Sequence, residues 1–297
     1  MEKMLAYILN LATLMCINAV LAITLNFIMG YAGIFSIAHA IFFGVGAYTA
    51  AYFALHASAS LFLAIPVSMV AAGLLSLILA LPALRVRGEY FVAASLGLQV
   101  LGVTIFSEWK SFTGGLGGVI GIPPADLFGH AITDPVQFLL LAAGCLVLVI
   151  LVTNTLLRSS FGRNLKAIRD SESAAHAFGK NVAVIKTLSV MISSALAAIA
   201  GALYAFYLGF INVESFTLDT SVLLMAMVII GGTGTLLGPI VGTVLLMLLP
   251  SLFSYMWFLP QTEIGAIQQI AYGAAMVLLM IFRPGGLVSA RKNQGEP

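Results

Sequence analysis

Charge is what this chain has least of. Only 8% of its 297 residues are Asp, Glu, Lys or Arg, and between Lys3 and Arg85 there is none. Soluble domains carry about 25% charged residues. With 61% hydrophobic residues and a mean hydropathy of +1.09, this inventory cannot build a water-facing surface. A soluble globular class is excluded, and the composition points to an all-α polytopic membrane protein. Chemistry is scarce too. Cys16 and Cys145 lie far apart in apolar runs, without metal-ligand spacing, and read as small buried hydrophobes. No G-x-x-x-x-G-K-S/T loop is present, so the chain is not expected to hydrolyse ATP itself. The H-E-x-x-H zinc signature is missing and Ser36 has no base–acid pair nearby, which argues against a membrane hydrolase. No candidate span carries a charged residue in its middle. That argues against an autonomous proton-driven carrier, although carbonyls and hydroxyls alone can hold Na⁺.

What is present is a series of apolar runs. A span needs about 20 apolar residues. Candidates are Leu5–Met29, Ile37–Leu55, Leu61–Leu84, Tyr90–Phe106, Val136–Leu157, Thr187–Phe210, Thr220–Ile230, Ile240–Phe258 and Ile264–Phe282. The expectation is about eight or nine transmembrane helices, with a broken or re-entrant Gly-rich segment near residues 30–55. Met1-Glu2-Lys3-Met4 leads straight into an apolar run with no A-x-A-like site, so the first segment reads as a span and not a cleaved signal. No second domain, soluble lobe or strong internal repeat is visible, and no nucleic-acid partner is expected.

Lys and Arg in short loops set orientation. The segment 158–186 holds Arg158, Arg163, Lys166, Arg169, Lys180 and Lys186 against Asp170 and Glu172. The link at Arg85 and Arg87 and the tail with Arg283, Arg291 and Lys292 are also basic. All three are placed in the cytoplasm, so the C-terminus is expected there. The opposite loops hold Asp126, Asp134, Glu214, Asp219 and Glu263, with Lys110 the exception. The rule does not decide the first eighty residues. Two full spans before Leu61 put the N-terminus outside; one span plus a re-entrant segment puts it inside.

The stretch GYAGIFSIAHAIFFGVGAYTA, residues 30–50, concentrates Gly30, Gly33, Gly44, Gly46, Ser36 and His39 in a segment without charge. Any one glycine could serve close helix packing. Ser36 and His39, three apart, would share a helix face. Polar groups at membrane depth face a bundle interior or a water-filled path, and non-helical backbone survives there only under cover. Gly33, Ser36, His39, Gly44 and Gly46 are therefore candidates for the lining of a translocation path. The plainer alternative for His39 is a hydrogen bond to a neighbouring helix. A second cluster, Thr113–Pro124, reads as a re-entrant or interface-lying element at the outer mouth. A third, Gly231–Pro239, reads as the turn between two late spans.

In the basic loop RSSFGRNLKAIRDSESAAHAFGKNVAVIK, Asp170 can cap a short helix over Ser171–Phe178 that Gly179 stops. Such a helix is either a solvated loop or a docking element for a cytoplasmic partner.

At this point the sequence resembles a known family: the permease subunits of the high-affinity branched-chain amino acid ABC importers, specifically the LivM-type member of the permease pair. The matching stretches are GYAGIFSIAHAIFFGVGAYTAA, LRVRGEYFVAASLG, TGGLGGVIGIP, the run from Ser159 to Phe216, GGTGTLLGPIVGTVLL and FRPGGL, in agreeing order and spacing. The resemblance implies a single permease domain over 1–297 with a coupling loop at 158–186. It implies a second homologous permease, two cytoplasmic ATPase subunits that bind ATP and Mg²⁺, and a periplasmic or lipid-anchored solute-binding protein, assembled in the inner-membrane bilayer. The chain itself would be neither an enzyme nor a cofactor binder. The E-A-A-x-x-x-G pattern of ABC permeases falls on Ser173-Ala174-Ala175-x-x-x-Gly179, with Ser173 in place of Glu. Asp170, Glu172, Ser173, Ala174, Ala175 and Gly179 thereby become candidate coupling residues. GIFSIAHA departs from the family's GQLSLGHA at Ile34 and Ala38. If those positions touch the solute, a solute other than leucine, isoleucine or valine stays open. Sibling permeases for urea, short-chain amides or aromatic acids stay open, as do a stand-alone channel or uniporter for a small neutral solute and a structural scaffold.

The charge asymmetry generates a topology prediction. Cysteines at Ser160 and Ser173 should be labelled only from the cytoplasm, and one at Thr133 only from outside; the reverse pattern removes the orientation.

Overall fold

The architecture is that of a computed structural model, whose described residues are 2–57, 60–83, 88–127 and 130–254, with 270, 273, 274, 277 and 286–288. Arg85 and Arg87, the Ile264–Phe282 candidate span and the tail bases Arg283, Arg291 and Lys292 lie outside the described residues.

The chain is helical almost throughout. Helix α1 (Glu2–Asn26) widens into a π turn at Phe27–Tyr31. The helix then stops at Gly33, whose φ of 70° lies in the left-handed region open to glycine. Residues 33–38 are not helical, and α2 (His39–His56) starts afresh. There follow α3 (Leu61–Ala83), α4 (Gly88–Glu108), a short α5 (Lys110–Thr113), α6 (Pro135–Arg158), α7 (Ser160–Asp170), α8 (Glu172–Ala177), α9 (Val182–Leu208), α10 (Leu218–Gly231) and α11 (Gly238–Ser254). Among the described residues, five segments are long and apolar enough to cross a membrane: Met4–Tyr31, Leu61–Ile78, Tyr90–Glu108, Pro135–Arg158 and Val182–Leu208. The helix α10 has 14 residues. At about 1.5 Å per residue it falls short of a hydrocarbon core of about 30 Å. A 3₁₀ turn, Val213–Phe216, precedes it and is packed inward at Val213 and Phe216.

Cross-contacts fix the direction of the first helices. Tyr207, at the end of α9, donates its hydroxyl proton to Asn10 Oδ1 at 2.7 Å. Ser193 Oγ donates to Thr24 O at 2.6 Å, and Arg169 Nη1 donates to Gly30 O at 2.8 Å. So α1 runs antiparallel to α9, beginning at the end opposite the basic loop and finishing beside it. Within the bundle, α1 therefore runs toward the basic end, and α2 turns back from it before Leu61. Leu287 and Val288 donate their backbone N–H groups to Ile230 O and Gly231 O, which places residues 286–288 at the basic end too.

Lipid is as apolar as leucine, so helices in a membrane associate through close packing rather than water release. The seam between α2 and α9 shows how. A Cβ on Gly46 would strike the backbone of Ala198, and one on Gly201 would strike Phe43 O and Ala47 N. The helix backbones touch, flanked by Ala47, Ala50, Ala54, Ala197, Ala202 and Ala205, all buried. The α2 helix is apolar on every side, the mark of a fully enclosed helix, and packs on α3 and α9 at the centre of the bundle.

The Gly-rich segment is broken at residues 33–38 and not at Gly44 or Gly46, because α2 runs through both; Gly46 packs on α9 and Gly44 sits under Phe106 and Phe216. The segment Thr113–Pro124 is built from short pieces. It holds a 3₁₀ turn at Gly115–Gly117 and a strand β1 (Val119–Ile120) paired antiparallel with Phe210–Ile211 beyond α9, with Ile120↔Phe210 in register. A separate small ladder joins Asp126–Leu127 to His130–Ala131. Gly231–Pro239 forms the expected tight connection, with α10 ending at Gly231 and α11 starting at Gly238.

Gly46→Val should push α2 off Ala198 and lower thermal stability by about 1–3 kcal/mol. Gly97→Val, at a position where an added Cβ meets nothing within 4 Å, should stay within about 0.5 kcal/mol of the parent. Equal losses in the two variants would contradict the seam.

Candidate functional site

The break between α1 and α2 gathers buried polar groups from several helices. Its backbone alternates: Gly33 and Phe35 are exposed, Ile34 and Ser36 buried. The N–H groups of Phe35 and Ser36 donate to no protein acceptor among the described residues. The start of α2 is held from across the bundle. Ile37 N donates to Ser95 Oγ of α4 at 3.0 Å, and Ala40 N donates to Ser221 Oγ of α10 at 3.0 Å. Ser221 Oγ in turn donates to Gln99 Oε1 at 3.3 Å, while Gln99 Nε2 donates to Phe216 O at 2.9 Å. The first N–H groups of a helix lack intrahelical acceptors. Two helices, α4 and α10, supply the hydroxyls that take the N–H groups of Ile37 and Ala40.

His39 opens α2 and is fully buried. Its Nε2 lies 2.9 Å from Thr24 Oγ1, and Thr24 Oγ1 lies 2.9 Å from Leu21 O. The single hydroxyl proton goes to the Leu21 carbonyl, so His39 Nε2 is the protonated nitrogen and donates to Thr24. Among the described residues His39 Nδ1 finds no partner, and Ser36 Oγ, three residues earlier, is equally buried and finds none. The two residues do not share a helix face as the spacing suggested, because Ser36 lies in the non-helical segment and only His39 is helical. The neighbouring helix that His39 bonds is α1, through the Thr24 hydroxyl.

Of the five path candidates, the structure brings Gly33, Ser36 and His39 to the break and leaves Gly44 and Gly46 further along α2 as packing positions. Sequence reasoning missed Thr24, Asn26, Gln99, Ser193 and Ser221. Asn26 Nδ2 donates to Thr235 O at 2.8 Å and its Oδ1 accepts from Gly234 N at 2.9 Å. Polar residues within apolar runs were the available signal, Gln99 and Asn26 most plainly.

At the basic end, α7 and α8 form a platform. Gly162, Leu165 and Ile168 turn inward from α7, and Ile168, Ala175 and Val182 pack together. The cap of α8 is Ser171, whose Oγ accepts from Ala174 N at 3.3 Å. Asp170 instead ends α7, and its Oδ1 accepts from Arg169 Nε at 3.2 Å and Nη2 at 3.1 Å; the expectation that Asp170 caps the helix is corrected. Ser171 takes that role because its backbone is extended, as an N-cap requires. Glu172 accepts from Lys186 Nζ at 2.7 Å. Gly179 ends α8 as expected, with φ at 72°. Gly179 N donates to His176 O and Lys180 N to Ala175 O, the paired bonds of a Schellman turn. Ala175 is buried in the chain's own packing, whereas Ser173, Ala174, Ala177 and Phe178 face outward. Phe178 is 84% exposed. Among the described residues, no group of three His, Cys, Asp or Glu side chains could hold a metal.

Replacing Thr24 with Val keeps the shape but strands the His39 Nε2 proton. A buried unsatisfied donor costs about 1–3 kcal/mol, so thermal unfolding should show a loss of that size for Thr24→Val and almost none for Thr24→Ser. Indifference to Thr24→Val would remove the pairing.

No solved structure matches the chain significantly. Curated relatives do. The high-affinity branched-chain amino acid transport system permease protein LivM of Escherichia coli is 30% identical, over 96% of this chain and 71% of its own. The probable branched-chain amino acid transport permease LivM of Methanocaldococcus jannaschii is 25% identical, over 91% of this chain and 89% of its own. A tyrosine transport system permease protein of Clostridioides difficile is 28% identical over 56% of each chain. Residues 7–282 match the family described as the permease component of branched-chain amino acid transport systems. The break, the polar core around it and the basic platform are thus features of a membrane permease, and the chain belongs to the branched-chain amino acid transport permease family, in its LivM type.

Proposed function

We propose that this chain is one of a pair of permease subunits in an inner-membrane ABC importer that carries branched-chain or related hydrophobic amino acids. The observation that carries the reading is the family match across residues 7–282. In this reading the basic end faces the cytoplasm, where two ATPase subunits bind ATP and Mg²⁺ and dock on the α7–α8 platform. Ser173, Ala174 and Phe178 offer the contact surface. Ala175 and Gly179 hold the short helix in place, with Asp170 and Glu172 fixing its flanking bases. A second homologous permease covers the exposed edge at Gly33 and Phe35, and a solute-binding protein delivers solute at the opposite end.

Transport proceeds by alternating access. ATP closes the ATPase dimer, the platform moves, and the bundle opens toward the binding protein; hydrolysis returns it. The polar break supports this use. Non-helical backbone at membrane depth belongs beside protein or a water-filled path, and Ser36 Oγ and His39 Nδ1 are free to meet a polar solute when that path opens. The break carries no charged side chain of its own, so it guides an uncharged or zwitterionic solute without trapping it. Selectivity then rests on the binding protein.

The test is uptake by the reconstituted assembly. With its partner subunits and binding protein in proteoliposomes, leucine, isoleucine, valine, tyrosine and urea are offered with and without ATP. Uptake of an apolar amino acid only with ATP is expected, with Phe178→Asp reducing ATPase co-purification at least tenfold. Uptake that proceeds equally without ATP would favour the stand-alone channel or uniporter.

A further inference from the structure

We propose that Arg169 is the positioning residue that transmits movement of the α7–α8 platform into the broken segment at the membrane core. The inference rests on reading the chain as an ATPase-driven permease and goes beyond it by naming the mechanical link.

Three pieces of the membrane core meet at this one side chain. Its Nη1 donates to Gly30 O at 2.8 Å, at the end of the π turn. Its Cγ lies 3.1 Å from where a Cβ on Gly33 would stand, at the first residue of the break. Nη1 also lies 3.4 Å from the equivalent point on Gly234, in the connection between α10 and α11. Asn26 ties that connection back to α1 through Thr235 O and Gly234 N. The end of α1, the beginning of the break and the α10–α11 turn are thus one polar junction, and Arg169 enters it from the platform.

The chemistry suits a transmitting contact. Gly30 O belongs to the last turn of its helix, where carbonyls lack intrahelical donors and a cation is favoured. Asp170 Oδ1 takes Nε and Nη2 of the same guanidinium, which orients the planar fork and leaves Nη1 for Gly30. Lys166, one turn earlier on α7, stands 5.9 Å from the Tyr31 ring centroid and adds a second cationic contact on the same helix end. Both contacts lie within the residues that lead into the break, so a shift of α7 pulls directly on Gly30–Gly33. The plainer role for Arg169 is adhesion of a surface loop. Adhesion would change assembly or stability and leave the ratio of uptake to ATP hydrolysed unchanged; transmission changes that ratio.

The test uses the assembled complex in proteoliposomes, with uptake and ATP hydrolysis read in parallel. In Arg169→Ala, assembly and hydrolysis should stay within twofold of the parent while uptake per ATP falls at least tenfold. A conservative variant asks whether the contact itself is what matters: Arg169→Lys keeps a cationic donor for Gly30 O and should retain more uptake per ATP than Arg169→Ala. Normal uptake in Arg169→Ala, uptake and hydrolysis falling in proportion, or Arg169→Lys as uncoupled as Arg169→Ala overturns the inference alone. Absence of ATP-driven uptake by the unsubstituted complex overturns the permease reading and this inference with it.

Discussion

The start of α2 hangs on two hydrogen bonds made across the bundle, from Ile37 N to Ser95 Oγ and from Ala40 N to Ser221 Oγ. A helix that begins inside packed protein exposes N–H groups that need acceptors, and leaving one unpaired costs about 1–3 kcal/mol. The break after α1 exists only because α4 and α10 bring hydroxyls to that point. Much else follows from placing them there. Ser221 needs α10 to start deep, which the inward-packed turn at Val213–Phe216 allows, and Gln99 ties that turn to α4 through Phe216 O. The close seam of α2 with α9 then holds the helix at the depth where those bonds form.

The same constraint separates two kinds of residue that look alike in the sequence. Glycines at 46 and 201 serve contact between backbones, a matter of shape. Gly33 serves a change of chain direction, a matter of conformation, and beside it lie Ser36 and His39, whose free polar atoms have no structural use. Buried polar atoms without partners are costly to keep. The platform at the basic end obeys a different logic. Its helix α8 has only 6 residues, too few to be stable by itself in water, and depends on Ser171, the Gly179 turn and the packing of Ala175 on Ile168 and Val182 for its shape.

Much of this was legible in the sequence. The absence of charge between Lys3 and Arg85 gave the class, the bases of 158–186 marked one end, and the glycines near residues 30–55 announced a broken or re-entrant segment. The register of the break was not legible. Whether Ser36 is helical depends on where Ser95 and Ser221 catch the returning chain, and those residues are far away in sequence. Asp170 and Ser171 are both good N-caps, and the choice fell to the one left extended when α7 ended at Asp170. In an α2 that is apolar all round, no periodic pattern tells a packing glycine from a breaking one. The pairing of Val119–Ile120 with Phe210–Ile211 is likewise a long-range contact without a local signal. Arg169 was counted only as a positive charge, since neither Gly30 O nor the α10–α11 turn is its neighbour in the chain.

The central claim is that the helix is interrupted between Tyr31 and His39 and resumes as α2, and proline substitution tests it most directly. Proline removes a backbone N–H and costs about 3 kcal/mol or more inside a helix. Phe35 N–H donates to no described protein acceptor, whereas Ala47 lies within α2. Thermal stability of the chain purified without its partners, where Phe35 is exposed, should be nearly unchanged by Phe35→Pro and should collapse with Ala47→Pro. A collapse of equal size with Phe35→Pro would mean that the helix continues through the segment, and would contradict the account.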